Sequence, residues 1–385
     1  MAKKRANGEG NLRQRKDGKW EIRVTTGRNP GTGKAIRRSF YFDSQAEARK
    51  YMNASAVAVD EGTYLDPSSV TVREWLDTWT ADYIGGVKPR TQDTYKQTVR
   101  VHLTPTLGAV RLQSLTAPAI QKVYNQKIKG GLNPKTIRNI HGVFHKALEQ
   151  AVKVGFLRVN PSAACELPRV KKPAIKPLEG AQVKAFLKEI SANKYKYLFT
   201  VALLTGMRES EILGLTWSAV NFHTGELLVD KQLQRRKLES GAVEYTFEPT
   251  KNDKARRIKP GKTAMDSLRH VRTSQLEQKL QKGQLWNNPN DLVFTHENGQ
   301  HIAPNTIIHA LNKIKNAIGC PGFRFHDIRH TYATLALQNG VDVKTLSESL
   351  GHATVAFTLD VYGHVTSAMQ DNAASIMDAY ITAQF

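Results

Sequence analysis

Four prolines fall between positions 161 and 177, at Pro161, Pro168, Pro173 and Pro177. Proline lacks an amide hydrogen and pushes the residue before it towards extended backbone. No long helix or central strand can run through this stretch, so it reads as a break between the parts of the chain on either side of it. Arg169, Lys171, Lys172 and Lys176 lie among the prolines. That composition makes 169–177 an extended, basic linker. At 385 residues the chain has room for two or three domains.

The block before the linker divides again. Residues 1–66 open with strand patterns at Asn11 to Arg15 and Trp20 to Thr26, around Lys16-Asp17-Gly18-Lys19. Asp-Gly is a strong hairpin signal, and Trp20, Ile22 and Val24 alternate with polar residues at the period of a half-buried strand. A turn at Asn29 to Gly33 leads to a third strand, Ala35 to Phe42. Ser44, with Glu47 three residues on, then caps a helix running to about Val59. Residues 70–168 read as helical throughout. Thr71 and Glu74 form a capping box ahead of Trp75, Leu76 and Trp79, which read as core. Lys88-Pro89, Thr116-Ala117-Pro118 and Asn133-Pro134 open three more helices. In the last, Ile137, Ile140, Phe144, Ala147, Leu148 and Ala151 keep the helical period.

Charge narrows the function. The net charge is +22. So much positive charge calls for a polyanion, with nucleic acid the usual one and an anionic membrane surface the competitor. No apolar run is long enough for a membrane span, and no apolar signal core follows the basic start. Twelve basic and four acidic residues fall in positions 1–43. Arg13, Arg15, Lys19, Arg23, Arg37 and Arg38 sit on or beside the strands, and a cationic sheet of this size fits the DNA major groove. Arg90, Lys96, Arg100, Lys135, Arg138 and Lys146 are candidate phosphate contacts on the helical block. Cys165 and Cys320 lie far apart, which fits a reducing compartment and no disulfide framework.

The chemistry-bearing residues follow the linker, in residues 178–385. Arg208 stands in Thr205-Gly206-Met207-Arg208-Glu209-Ser210-Glu211, where an apolar helix ends and another begins. Helix starts favour acids, so an arginine there is aimed at something. His326-Asp327-Ile328-Arg329-His330 places His326 and Arg329 on one helical face. His326 and His330 also match a zinc-binding pair, but no third ligand is evident and Arg329 would project beside the cation. Leu350-Gly351-His352 precedes Tyr362 by ten residues. Pro249-Thr250-Lys251-Asn252-Asp253-Lys254 reads as a hairpin loop between strands near Glu244 to Phe247 and Arg257 to Lys259.

Two arginines, a lysine, two histidines and a tyrosine in this order resemble the constellation of the tyrosine recombinases, or phage integrases. Across the whole chain the resemblance is to integrases of Gram-positive conjugative transposons. It implies a multidomain α+β protein. A sheet-plus-helix domain for arm-type DNA sites (1–66) and an all-helical domain for the core site (70–168) would precede a mainly helical catalytic domain with a small antiparallel sheet (178–385). By the same resemblance Arg208 and Arg329 clamp the phosphate, Lys251 (alternatively Lys254) is the general acid, and His326 and His352 are the two histidines. Tyr362 is the nucleophile, its hydroxyl acidified by the arginines and its proton accepted by His326. The expected reaction runs through a 3′-phosphotyrosine, with no cofactor, metal or ATP. The expected partners are double-stranded DNA, three further copies of the chain in a tetramer, and accessory DNA-bending or directionality proteins. The apolar series Met369, Ala373, Ile376, Met377 and Tyr380 either packs on its own domain or docks on a neighbouring subunit. A nicking-closing topoisomerase shares the nucleophile and clamp, but needs no basic sheet for a second DNA site. A DNA-binding regulator with a decayed site would not keep all six residues.

Overall fold

The computed structural model describes residues 11–28, 31–61, 64–65, 67–170, 176–237, 241–250 and 254–384. It divides within the basic linker, into Met1–Lys172 and Pro173–Phe385. The architecture is the expected multidomain α+β one.

The first unit starts with a three-stranded antiparallel sheet of β1 (Asn11–Gln14), β2 (Trp20–Arg28) and β3 (Ala35–Phe42), followed by α1 (Gln45–Asp60). Gly18 takes φ +82 at the hairpin turn, which a side chain would resist. The Ser44 hydroxyl accepts the Glu47 amide and starts α1. Strand alternation sends Ile22 and Val24 to one face, where they are buried with Ala48 among Leu12, Phe40, Phe42, Tyr51 and Met52. The register pairs Arg13 with Glu21, Glu21 with Tyr41, Arg23 with Ser39 and Thr25 with Arg37. These residues share the open face. Arg38 pairs with Val24, so alternation puts it on the opposite face of the strand from Arg37, and its side chain is exposed.

The rest of this unit is helical: α2 (Val72–Asp82), α3 (Pro89–Thr98), α4 (Thr104–Leu107), α5 (Ala117–Lys129) and α6 (Pro134–Lys153). The Thr71–Glu74 capping box forms in both directions. Trp75 and Trp79 are core, as their spacing suggests. The Trp75 indole donates to the Ala147 carbonyl at 2.9 Å, and Trp79 stacks on Tyr95. A π-helical turn, Val99–Leu103, joins α3 to α4 just before Pro105, which has no amide to continue the regular ladder.

The second unit packs α7 (Gly180–Ser191), α8 (Lys196–Thr205), α9 (Glu209–Leu213), α10 (Lys262–Lys282) and α11 (Pro304–Ala317) around a core that includes Phe186, Phe199, Ile212, Leu268 and Ile307. Two small sheets flank it. One holds β4 (Val220–Asn221), β5 (Glu226–Val229) and β8 (Arg256–Ile258). The other holds β6 (Lys231–Lys237) and β7 (Val243–Pro249).

The hairpin expected around Lys251 is therefore corrected. β7 and β8 do not pair with each other: β7 pairs with β6 and β8 pairs with β5. β5 and β6 are separated by Asp230 alone, so β8 and β7 each pair with a strand earlier in the chain and not with each other. Three helices complete the unit: α12 (Phe325–Gln338), α13 (Val343–Leu350) and α14 (Val355–Thr382). Tyr362 and the apolar tail share the single helix α14. Met377 and Tyr380 stand 57% and 61% exposed, which goes against the first of the two readings of the tail for these residues; the side chains of Met369, Ala373 and Ile376 lie outside the described residues. Among the described residues no helix is long and apolar enough to cross a membrane.

Candidate active site

The site is built on the end of α13. The last carbonyls of a helix lack amide partners and carry its negative dipole end. Here three successive ones each take an arginine. Arg256 Nε donates to Ser349 O at 2.8 Å, Arg329 Nη2 to Leu350 O at 2.6 Å, and Arg208 Nη2 to Gly351 O at 3.4 Å. Arg329 reaches across to Gly206 O as well, at 2.8 Å, tying α12 to the end of α8.

Both glycines of the flanking motifs are required by this packing. Gly206 and Gly351 cap α8 and α13 with φ of +62 and +65. A Cβ on Gly206 would lie 2.5 Å from the Tyr332 ring, and one on Gly351 would lie 3.0 Å from Arg256 Cδ.

One carboxylate balances the arginines. Glu211 is 1% exposed and takes Arg208 Nη1 at 2.7 Å together with Arg256 Nη1 and Nη2 at 3.0 and 2.6 Å. It also accepts the Arg208 amide at 2.9 Å and so caps α9. Burial works to raise its pKa, but the bonds and charge of Arg256 and the charge of Arg208 outweigh that and hold it at about 2. Glu211 therefore stays ionised and keeps the arginine pair spaced.

Arg329 is 2% exposed, and Arg208 is about one-fifth exposed. Arg208, Thr250, Lys254, Arg256, Gly351 and His352 line a cleft. Lys251 lies outside the described residues, whereas Lys254, its alternative, is at this cleft. His352 Nδ1 sits 2.8 Å from the Thr358 hydroxyl, which fixes the ring. Burial, with the charges of Arg329 and Arg208, holds the His352 pKa down at about 3. His326 is exposed to solvent, yet burial of part of its ring, then His330, Arg329 and Arg208, holds its pKa down at about 4. Both rings are neutral near pH 7, able to donate one hydrogen bond each.

Tyr362 departs from expectation in two ways. Its side chain is 1% exposed, packed with Ala333, Leu337, Leu346 and Leu350. Burial pushes its pKa up to about 12, and Arg329 only partly offsets that, so the hydroxyl is not acidified at rest. Its hydrogen-bond partner is not His326 but His330, whose Nδ1 lies 2.7 Å from the hydroxyl. His326 packs edge-on against His330 with ring centroids 4.8 Å apart.

Asp327, the base of the zinc-pair reading, is engaged by the Arg324 guanidinium at 2.9 and 3.0 Å. Among the described residues no group of three His, Cys, Asp or Glu side chains is placed to hold a metal.

The candidate nucleic-acid residues differ in their surroundings. Arg13 and Arg23 share Glu21, at 2.7 and 3.5 Å. Arg15 lies over the Tyr41 ring at 5.0 Å, and Lys19 is 3.7 Å from Asp43. Arg37, Arg90, Lys96 and Lys135 have exposed side chains. Arg138 donates to the Pro168 carbonyl at 3.0 Å, so it braces the start of the linker. The reading of the sequence missed Glu211, Arg256 and His330. Glu211 had a signal, an acid three residues after an arginine. The other two show their role only once distant segments are together.

Residues 176–369 match the phage integrase family, and 71–128 match the N-terminal SAM-like domain of phage integrases. The chain belongs to the phage integrase family of tyrosine recombinases, enzymes that cleave and rejoin DNA in site-specific recombination. A XerC-like tyrosine recombinase of Caldanaerobacter subterraneus subsp. tengcongensis is 29% identical, over 94% of this chain and 97% of that one. The ICEBs1 integrase of Bacillus subtilis is 25% identical, over 95% and 99%. The Tn1549 transposon integrase, solved in complex with a circular intermediate DNA, shares the fold with a TM-score of 0.66 at 20% identity, over 79% of this chain and all of that one. A lambda integrase tetramer bound to a Holliday junction gives 0.55 at 17% identity, over 92% and 96%.

Proposed function

We propose that this chain is the integrase of a mobile element and that Tyr362 attacks the scissile phosphate. Attack forms a 3′-phosphotyrosine and releases a 5′-hydroxyl. The phosphoester bond is conserved, so a 5′-hydroxyl from another strand can reverse the step without ATP. Arg208 and Arg329 bind the non-bridging oxygens, with guanidinium charge serving where other phosphoryl-transfer enzymes use metal ions. His326 and His352 donate to the same oxygens. Lys251 protonates the departing 5′ oxygen; Lys254 is the second reading, favoured by its place at the cleft with Arg208 and His352.

The observation that carries the proposal is the meeting of Arg208, Arg329, His352 and Tyr362 around the end of α13, from four segments spread over 155 positions. In this reading residues 1–66 hold arm sites through Arg13, Arg15, Lys19, Arg23 and Arg37. Residues 70–168 hold the core site through Arg90, Lys96 and Lys135, 169–177 link them to the catalytic domain 178–385, and four copies act together. The tetramer on a Holliday junction formed by lambda integrase supports that assembly. The exposed Met377 and Tyr380 favour docking of the α14 tail on a neighbouring copy.

The test is covalent trapping on a nicked substrate bearing the element's end sequence. A denaturation-resistant adduct that disappears in Tyr362→Phe supports the nucleophile. An adduct that persists in that variant moves the nucleophile elsewhere, with Tyr380 next. Lys251→Ala and Lys254→Ala on the same substrate separate the two lysines, since only loss of the acid slows cleavage by about a hundredfold or more.

A further inference from the structure

We infer that His330 is the positioning residue and proton acceptor for the Tyr362 hydroxyl. The inference rests on Tyr362 being the nucleophile. It assigns a seventh functional side chain and moves the proton-accepting role away from His326.

The geometry gives His330 this role and denies it to its neighbour. His330 follows Arg329 directly on α12, one helical turn from His326. Its Nδ1 is 2.7 Å from the Tyr362 oxygen, within the range of a well-formed hydrogen bond. His326 packs edge-on against the His330 ring, and the hydrogen bond to the Tyr362 hydroxyl is His330's. In the proposal the bond runs from the tyrosine to the imidazole. A tyrosine hydroxyl has one hydrogen to give, and a neutral imidazole has one bare nitrogen to receive it. The groups facing His330 are Arg324, Asp327, Arg329 and His326 on or beside its own helix and Tyr362 on α14, with His352 close enough to feel its charge. Burial, helped by Arg329 and Arg324, lowers the His330 pKa, while Asp327 works the other way. The ring is therefore neutral at pH 7, and the proposal assigns Nδ1 as the acceptor with the proton on Nε2.

The arrangement fits the needs of the reaction. A buried tyrosine with a raised pKa keeps its proton at rest and is a poor nucleophile. As the Tyr362 oxygen bonds to phosphorus, its proton passes to His330 Nδ1 and forms an imidazolium. At the other side of phosphorus the P–O5′ bond breaks, and the leaving oxygen takes a proton from the loop lysine. Religation runs the same transfers backwards and returns the proton to Tyr362. The hydrogen bond also holds the hydroxyl against His330, so the tyrosine is oriented before DNA arrives. Because Tyr362 is 1% exposed, DNA must part α14 from its packing far enough to admit a phosphate. The proposal requires that the His330–Tyr362 pair survive this opening.

The test uses the full chain and single-turnover cleavage of the nicked end-sequence substrate, followed from pH 5 to 9. His330→Asn places an amide oxygen near the Nδ1 position, so it can hold the hydroxyl but cannot take its proton. Cleavage should slow about a hundredfold, in the range of a lost general base. The wild-type rate should fall as pH drops through the depressed His330 pKa, and that acid limb should vanish in the variant. On a substrate with sulfur in place of the bridging 5′ oxygen, whose leaving group needs no acid, the His330→Asn defect should persist while the lysine defect disappears. In His330→Ala, added imidazole should restore cleavage, which separates chemistry from folding if the asparagine variant is unstable. An unchanged rate, or a defect relieved by the sulfur substrate, overturns the proposal. Faster cleavage by His330→Asn also overturns it, because His330 would then only store the tyrosine. Tyr362→Phe is run alongside: an adduct in that variant overturns the choice of nucleophile itself, a failure distinct from the others.

Discussion

Two buried carboxylates in this molecule each hold a pair of arginines, and they do so for opposite ends. On the N-terminal sheet, Glu21 is 4% exposed beneath Arg13 and Arg23, whose side chains are 62% and 49% exposed. In the catalytic unit, Glu211 is 1% exposed between Arg208 and Arg256, whose side chains are 21% and 8% exposed. Glu21 is covered by the arginines themselves, lying on one face of a thin sheet. Glu211 is enclosed by α9, β8 and the end of α13. The first arrangement offers charge to solvent, where a long polyanion can exchange for counterions. The second removes charge from solvent and sets it in one geometry, which a transition state needs and simple binding does not.

Removing the inner carboxylate should have the largest effect. Glu211→Gln leaves Arg208 and Arg256 buried against each other without a counter-charge. Breaking one side of a buried ion pair costs about 3–5 kcal/mol, and the urea midpoint of the catalytic unit should fall accordingly. Cleavage should drop by about a hundredfold or more, because the misplaced Arg208 no longer meets the phosphate. Glu21→Gln leaves its arginines free to turn to solvent, so the sheet unit should unfold as before. Equal losses at the two sites would break the contrast.

Acid offers a second test. The folded Glu211 pKa is about 2, below its ordinary value of about 4.5. A depressed carboxylate adds stability that is present above the unfolded pKa and is lost as pH falls through the folded one. The catalytic unit should therefore lose about 3 kcal/mol between pH 4.5 and 2 beyond what Glu211→Gln loses over the same range. Urea titrations of the two proteins at pH 5, 4, 3 and 2 check this. Parallel curves would mean that Glu211 is not the group responsible.

The outer pair predicts a smaller, salt-linked effect. Arg23→Ala should weaken binding to an arm-site duplex several-fold and reduce the slope of log affinity against log salt by about one. Cleavage of a short core duplex without arm sites should be unchanged. A loss of core cleavage with no change in salt slope would place Arg23 in the wrong group.

These differences mark where the sequence could be read. Local rules carried the Thr71–Glu74 capping box, the Gly18 turn, the tryptophans of α2 and the apolar stripe of α6, because each depends on neighbours within a turn or two. The order of Arg208, Arg329, His352 and Tyr362 was legible through resemblance. The rest depends on long-range register. The strands that flank Lys251 were legible, but their pairing was misread, because β7 and β8 each pair with a strand further back and periodicity does not show pairing. Arg256 stood in a run of cations that reads as a solvated surface, and only the arrival of Ser349 and Glu211 makes it interior. His330 was weighed only as half of a zinc pair, because a helix places it beside His326 while only the fold places it beside Tyr362.

The smallest prediction sharpens the comparison within a single helical turn. Glu209 lies two residues from Glu211, on the same short helix α9. No arginine meets it: its Oε1 is buried without a hydrogen-bond partner among the described residues, and burial raises its pKa to about 6. Two carboxylates two positions apart thus shift in opposite directions, and the arginines make the difference. The sign of the pH dependence reverses with the shift. A raised carboxylate favours the fold while protonated, an advantage held fully below its ordinary value of about 4.5 and lost as pH rises through 6. Glu209→Gln is neutral at every pH. It should match wild type at pH 4 and melt higher at pH 8, by about 2 °C or less because water still reaches the side chain in part. The opposite order at pH 8 would mean that the ionised Glu209 has found a cation, and that the arginines at the end of α13 reach a second carboxylate.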